Sequence, residues 1–99
     1  MSRFHETATF AGGAHSLTTG VGSVETDPLT DGTTVVFLFC DQNAHVKIGQ
    51  DPTATTSDFL LPASNFLALR VNPGDKVAAI QETAAGTLWV SEGIGNPTI

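Results

Sequence analysis

Ninety-nine residues with 10 acids, 4 bases and 3 histidines carry a formal net charge of −6, and the chain holds 10 Gly, 5 Pro, one Cys, one Trp and no Tyr. The length allows one domain, not two, and a single cysteine excludes an internal disulfide framework. The bases stand singly at Arg3, Lys47, Arg70 and Lys76, which argues against nucleic acid, whose phosphates need clustered cations.

Hydrophobic residues make up 40% of the chain, but a domain of this size buries only about two-thirds of the surface that its unfolded chain exposes. It therefore gains from neighbours. The longest wholly apolar run covers residues 35–40, against the ~20 residues that a membrane-spanning helix needs, so no membrane partner is expected. Fourteen threonines with few lysines favour strands over helices. The opening MSRFHETATF lacks the basic region and apolar stretch of a signal peptide, which predicts synthesis and folding in a cytoplasm.

In chain order, residues 3–10 place Phe4, Ala8 and Phe10 on one face at period two, a strand that reads as an edge or an arm. Residues 11–32 hold five glycines and no long periodic segment. A structureless loop of that length is uncommon in a compact domain, so either a short strand lies near 16–19 or 21–25, or the segment is a functional extension. Residues 33–40, TTVVFLFC, are apolar on both faces: Val35, Phe37 and Phe39 on one, Val36, Leu38 and Cys40 on the other. Such a strand is covered on both sides, by its own core or by a partner. After a turn at 41–43, residues 44–48 read as a second strand and the two as a hairpin, with Val46 and Ile48 inward and His45 and Lys47 outward.

Residues 49–57 are a polar loop, and 58–61 a short strand running into Pro62. Residues 65–71 alternate, with Leu67, Leu69 and Val71 against Phe66, Ala68 and Arg70. The NPGD turn at 72–75 follows, because Pro73 presets φ and Gly74 tolerates positive φ. Residues 76–81 are a strand in preference to a helix: the stretch is short, uncapped and closed by a Pro-Gly turn and Gly86. Residues 87–92 are the last strand, Leu88 and Val90 inward and Trp89 on the opposite face, and 93–99 a loose tail. The expected fold is all-β: a small antiparallel β-sandwich or barrel of six to eight short strands with an extended N-terminal segment. It divides into an N-terminal strand and Gly/Thr-rich extension (1–32), a core (33–92) and a C-terminal tail (93–99).

No catalytic, cofactor or metal site is expected. His5, His15 and His45 lack ligand spacing. Cys40 closes a buried-looking strand and reads as a small hydrophobe. There is no G-x-S-x-G elbow, and the Gly pairs lack the following glycine and helix of a phosphate loop. Asp51 and Asp58 read as solubilising loop acids. What remains is an excess of apolar residues on outer faces: Phe37, Phe39, Phe66 and Trp89. An exposed apolar patch marks an interface, and with the ends of the chain this gives Phe4, Phe10, Phe37, Phe39, Phe66, Trp89, Ile94 and Ile99 as candidate contact residues in a homo-oligomer. Trp89 with Phe66 also admits a sugar-stacking patch.

The runs VKIGQDPTATTSDFLLPAS (46–64), LALRVNPGDKVAAI (67–80) and GTLWVSE (86–92) resemble small virion proteins of tailed bacteriophages. The shared order is a strand ending in Gly, a PTAT loop, an LPA element, a strand, a Pro/Gly-Asp-Lys turn, a strand and a closing GTLxV strand. The resemblance implies a non-enzymatic β-sandwich located on the virion, made in the cytoplasm of a bacterial host. It implies a capsid decoration or cement protein, a homo-oligomer with a trimer favoured, touching the major capsid protein or other virion proteins. The alternatives are a neck- or tail-associated structural protein, or a glycan-binding module on the particle. Residues 11–32 and the tail then serve as arms ordered on assembly, whose ordering entropy is offset by contact area.

Overall fold

Apolar residues recurring at period two become eight strands. These are β1 (Ala8–Thr18), β2 (Val24–Glu25), β3 (Val35–Cys40), β4 (Ala44–Gly49), β5 (Phe59–Leu61), β6 (Phe66–Arg70), β7 (Lys76–Gln81) and β8 (Thr87–Gly95). The computed structural model describes residues 8–95, with side chains from residue 14 onward. The strands form two antiparallel sheets, sheet I in the order β1-β8-β3-β6 and sheet II in the order β2-β7-β4-β5. Residues 8–95 contain no helix.

The sheets meet face to face. Sheet I contributes Leu17, Val36, Leu38, Cys40, Leu67, Leu69, Leu88 and Val90; sheet II contributes Ala44, Val46, Ile48, Leu61, Val77 and Ala79; the loop residues Leu29 and Val71 close the ends. These are the phases that alternation predicts for β3, β4, β6 and β8. The stretch 76–81 is strand β7, between β2 and β4. Its predecessor turn is as its chemistry dictates: the Asp75 amide donates to Asn72 O at 3.1 Å, and Gly74 sits at φ 87°.

Pairing differs from expectation in one respect. β3 and β4 are not a hairpin; they lie in different sheets. Both edges of β3 are taken by β8 and β6, so the chain at 41–43 crosses the sandwich. The crossing is held by side chains: Asp41 Oδ1 accepts the Thr87 amide at 2.8 Å and Asn43 Oδ1 accepts the Ala63 amide at 2.7 Å. Of the seven connections between successive strands, only β4 to β5 stays within a sheet.

The N-terminal segment is extended, but its described part is built into the sandwich rather than held out as an arm. β1 pairs with β8 from Ala8↔Gly95 to Thr18↔Thr87, with a register shift between Phe10 and Ala14, and β2 pairs with β7. Thr19, Thr26, Leu29 and Thr33 are buried. The glycine-rich stretch that breaks the periodicity is thus a long edge strand with an irregularity, the local disruption that makes a bulged strand hard to read. Gly93 to Gly95, expected as tail, extend β8, and the Thr34 amide donates to Gly93 O at 3.0 Å. The strand expected over 3–10 falls outside the described residues at 3–7.

Threonine has a specific use at the strand ends. Thr19 Oγ1 accepts the Gly86 amide at 2.8 Å and Thr26 Oγ1 accepts the Val77 amide at 3.1 Å. Among the described residues no buried side-chain polar atom lacks a partner, as the cost of burying an unpaired group requires.

Two substitutions test this packing. Leu38 is fully buried between the sheets, and Leu38→Ala is expected to cost about 2–5 kcal/mol. At Gly86 an added Cβ collides with Asp41 Oδ1 and meets Gln42 Cβ at 2.8 Å. Gly86→Ala therefore displaces the carboxylate that caps Thr87 and is expected to cost about 1–3 kcal/mol. Urea unfolding of both variants measures these losses; an unchanged midpoint for Gly86→Ala refutes the close approach.

Candidate interaction surface

Paired residues on neighbouring antiparallel strands share a face, so the register builds the outer surface of sheet I. Phe39 of β3 pairs with Trp89 of β8 on one side and Phe66 of β6 on the other. The result is an aromatic row across three adjacent strands. Its rings are in contact: Phe39 and Trp89 lie 5.9 Å apart between centroids, tilted at 43°. Phe37, two residues back along β3, stacks on Phe66 at 5.6 Å and 22°. Phe37 is 4% exposed, while Phe39, Trp89 and Phe66 are 37%, 45% and 54% exposed. The surface thus has a buried aromatic base and three accessible rings, the arrangement of an anchor patch.

The structure brings together four of the eight candidate contact residues: Phe37, Phe39, Phe66 and Trp89. Ile94, 46% exposed, is apart from them. It lies in the last turn of β8, towards the Val35 end of β3, and borders a hollow of about 440 Å3 with Thr34, Arg70 and Pro73. The backbone of Phe10 pairs with Gly93 in β1, and its side chain is outside the described set. Phe4 and Ile99 lie outside the described residues.

The sandwich is open on the side where β5 and β6 are the edges. β5 covers β4 only from Ala44 to Val46. Beyond it, Val46, Ile48, Phe59, Leu67 and Leu69, with Lys47, line an apolar cleft of about 300 Å3. Phe59, at its mouth, is 59% exposed.

Two histidine–carboxylate pairs were not legible as such. His45, expected to be solvated, is buried. Its Nδ1 donates to the Asp58 carbonyl at 2.8 Å and its Nε2 donates to Glu82 Oε1. Loop 50–58, folded back over the outer face of β4, supplies the first acceptor. That loop is fixed by Asp58 Oδ2 accepting the Thr55 amide at 2.8 Å and by Ser23 Oγ accepting the Ala54 amide at 2.9 Å. With both ring nitrogens donating to acceptors, the imidazolium is favoured. The Asp58 carbonyl first, and then the Glu82 carboxylate, raise the pKa of His45 above 6.5 against the opposing effect of burial.

The second pair closes one end of the sandwich. Glu92 follows Leu88 and Val90 on the inner face of β8 and is 1% exposed. Its Oε2 accepts His15 Nε2 at 2.5 Å; its Oε1 accepts the Thr30 amide at 2.9 Å and Thr33 Oγ1 at 2.8 Å. Burial works against ionisation here, but the bonds from His15, Thr33 and Thr30 outweigh it and hold the carboxyl down at about 2. The period-two phase of Leu88 and Val90 was the available signal for an inward acid at position 92.

Cys40 is fully buried, and burial pushes its thiol up. Among the described residues no three His, Cys, Asp or Glu side chains are grouped to hold a metal ion. Compared with protein families, curated proteins and solved structures, the chain finds no match.

The two pairs give opposite pH dependences. Glu92 stays ionised in the folded chain below its ordinary value of 4.5, so the unfolded chain takes up the proton first. Its contribution is complete above pH 4.5 and is lost as pH falls towards about 2. His45 holds its proton above 6.5 in the folded chain, so its contribution is complete below that pH and is lost as pH rises through the raised value. Melting temperatures of the parent, Glu92→Gln and His45→Gln against pH check both. Glu92→Gln is expected to flatten the acid limb and His45→Gln the limb above neutrality. A parallel downward displacement of either curve, with its slope intact, refutes the corresponding assignment.

Proposed function

We propose that this chain is a non-catalytic structural protein that works by surface contact, docking the aromatic outer face of sheet I against another protein subunit. The observation that carries this reading is the row Trp89–Phe39–Phe66 with Phe37 beneath it. Exposed, pre-packed aromatics supply large contact area at low entropic cost, since their rotamers are already restricted by neighbours. The particle on which it acts is drawn from the likeness of residues 33–92 to phage virion proteins. The reading is therefore a capsid decoration or cement protein of a tailed-phage head, touching the major capsid protein.

The acidic balance of the chain supports that setting, because a net charge of −6 disfavours non-specific adhesion to packaged DNA. The PTAT loop of the likeness is a structural part of the domain: Ala54 within it is 2% exposed.

Quantifying the chain in particles purified from producing cells tests the assignment. Capsid decoration requires on the order of hundreds of copies, whereas a neck or tail location gives about 3 to 12. Trp89→Ser and Phe39→Ser, on an exposed face, are expected to lower incorporation at least about tenfold while the melting temperature moves little. Absence from particles overturns the virion reading. Glycan binding that is lost with Trp89→Ser moves the reading to a sugar-recognition module.

A further inference from the structure

The chain leaves one side of its own sandwich uncovered. β5 follows β4 only from Ala44 to Val46. Residues 47–49 of β4 therefore have β7 on one edge and, among the described residues, no strand on the other. The segment that leaves β4 does not close that gap. Gln50 Nε2 donates to Asp75 Oδ1 at 2.8 Å, and the Ala54 amide donates to Ser23 Oγ at 2.9 Å. These bonds draw loop 50–58 towards the starts of β2 and β7, and the chain rejoins the edge of β4 only at Phe59.

The gap is the mouth of the apolar cleft. Val46 and Ile48 form one wall and Leu67 and Leu69 the other, with Phe59 at the entrance and a volume of about 300 Å3. Each wall is two side chains from alternate positions of one strand, about 7 Å apart, and so forms an apolar rail along that strand. The entrance is fixed by bonds made elsewhere. Phe59 pairs with Val46, and the carbonyl of Asp58 before it accepts His45 Nδ1 at 2.8 Å. The cleft is thus formed in advance, as small-molecule sites usually are, and lies at the small end of their range of about 300–1,000 Å3. It admits one short chain and excludes a two-chain lipid. Its walls offer no side-chain hydrogen-bonding partner, so whatever enters must be hydrocarbon.

One cation belongs to the lining. Lys47 lies between Val46 and Ile48 on the uncovered stretch of β4 and is exposed. By alternation its side chain starts on the outer face at the open edge, on a flexible stem that can carry the ammonium to the mouth. Among the described residues no carboxylate pairs with it. The acids of the flanking segments are engaged: Glu25 with Lys76 at 3.1 Å, Glu82 with His45, and Asp58 Oδ2 with the Thr55 amide and hydroxyl. Salt screens the chain's net charge of −6 beyond about 8 Å, so the local cation decides what charge is attracted. We propose that the cleft binds a free, single-chain fatty carboxylate of medium length. Its hydrocarbon lies between Val46, Ile48, Leu67 and Leu69, and its carboxylate stays at the mouth beside Lys47.

This site is independent of what the aromatic face of sheet I binds. Each methylene that enters the cleft is expected to tighten binding about fourfold. The gain stops at the chain length that fills it, because further methylenes stay in water. A ligand of about a dozen heavy atoms is expected to bind with a Kd of about 10–100 µM.

Calorimetric titration of the full chain with hexanoate, octanoate and decanoate, each below its micelle concentration, measures the length dependence. Methyl NMR spectra locate the ligand. One molecule per chain is expected, with shifts centred on the methyls of Val46, Ile48, Leu67 and Leu69. Lys47→Gln, at an exposed position, is expected to weaken decanoate about threefold to fivefold and to leave decanol unchanged, a split that loss of structure would not produce. Phe59→Ala, also exposed, is expected to weaken both ligands. The proposal is overturned by no saturable binding up to about 1 mM, by affinity indifferent to chain length, by equal decanoate binding in the parent and Lys47→Gln, or by shifts centred on Phe39 and Trp89. Flotation with phosphatidylcholine–phosphatidylglycerol vesicles in the absence of decanoate binding assigns the cleft to a membrane surface. A dimer dispersed by Phe59→Ala, again without decanoate binding, assigns it to a second copy. Either result also overturns the proposal. Ligand binding is scored on positions 47 and 59 and particle incorporation on positions 39 and 89, so the cleft and the aromatic face fail separately.

Discussion

Val36, Leu38 and Cys40 on one side of β3, and Val35 and Phe37 on the other, are all 4% exposed or less. A strand apolar on both faces must be flanked on both edges and covered on both faces, and most of the architecture follows from meeting that demand. β8 and β6 take its edges, sheet II takes its inner face, and the aromatic packing of Phe37 with Phe66 lies on its outer face. Because β8 and β6 come from distant parts of the chain, β4 is forced away into the opposite sheet. Every later connection except β4 to β5 then alternates between the sheets. Such a topology has few local pairings, and its loop-closure entropy must be met before non-local contacts form.

The polar groups sit where the strands of this alternating path end. Crossing connections bring buried main-chain groups to the ends of the sandwich, and threonine hydroxyls and the Glu92 carboxylate bond to them. Glu92 is the extreme case, a charge on the inner face of a central strand. Burial disfavours it, yet three donors from β1 and the loop ahead of β3 converge on it. That ties the N-terminal strand to β8 by more than its ladder. His45 has the corresponding role on sheet II, fastening loop 50–58 and Glu82 to β4.

The faces of β3, β4, β6 and β8 were readable from alternation because each residue's environment is set by its own phase. The NPGD turn was readable because Pro73 and Gly74 carry their conformations with them. The partners of β3 were not readable: three residues at 41–43 suit an in-sheet turn or a crossing equally well, and the choice is made by Asp41 and Asn43 reaching Thr87 and Ala63. The burial of His45 was hidden for the same reason, since the loop that supplies its Asp58 acceptor is folded by contacts with Ser23 and Asp75 and by bonds between Thr55 and Asp58. The aromatic row was half-readable. Phase gave the outward direction of Phe39, Phe66 and Trp89, but only the registers of β3 with β8 and β6 put them side by side. Residues 8–18 were obscured by their glycines, which weaken alternation at the point where the strand's register shifts.

The two sheets are consequently unequal. On the outer surface of sheet II, Lys76 pairs with Glu25 at 3.1 Å and His45 is bonded to the Asp58 carbonyl and to Glu82. Sheet I carries three accessible aromatics side by side, Phe39, Phe66 and Trp89, whereas Phe59 of sheet II stands alone at the mouth of the cleft. That asymmetry is hard to attribute to folding alone. A core of this size does not need three exposed aromatic rings on one face, and such a row is a liability for a protein that remains solitary. This row is the observation on which the proposed docking of sheet I rests. Under the proposed reading the contact falls on sheet I, while the Glu92 cluster ties β1 and the loop ahead of β3 to β8 within that sheet.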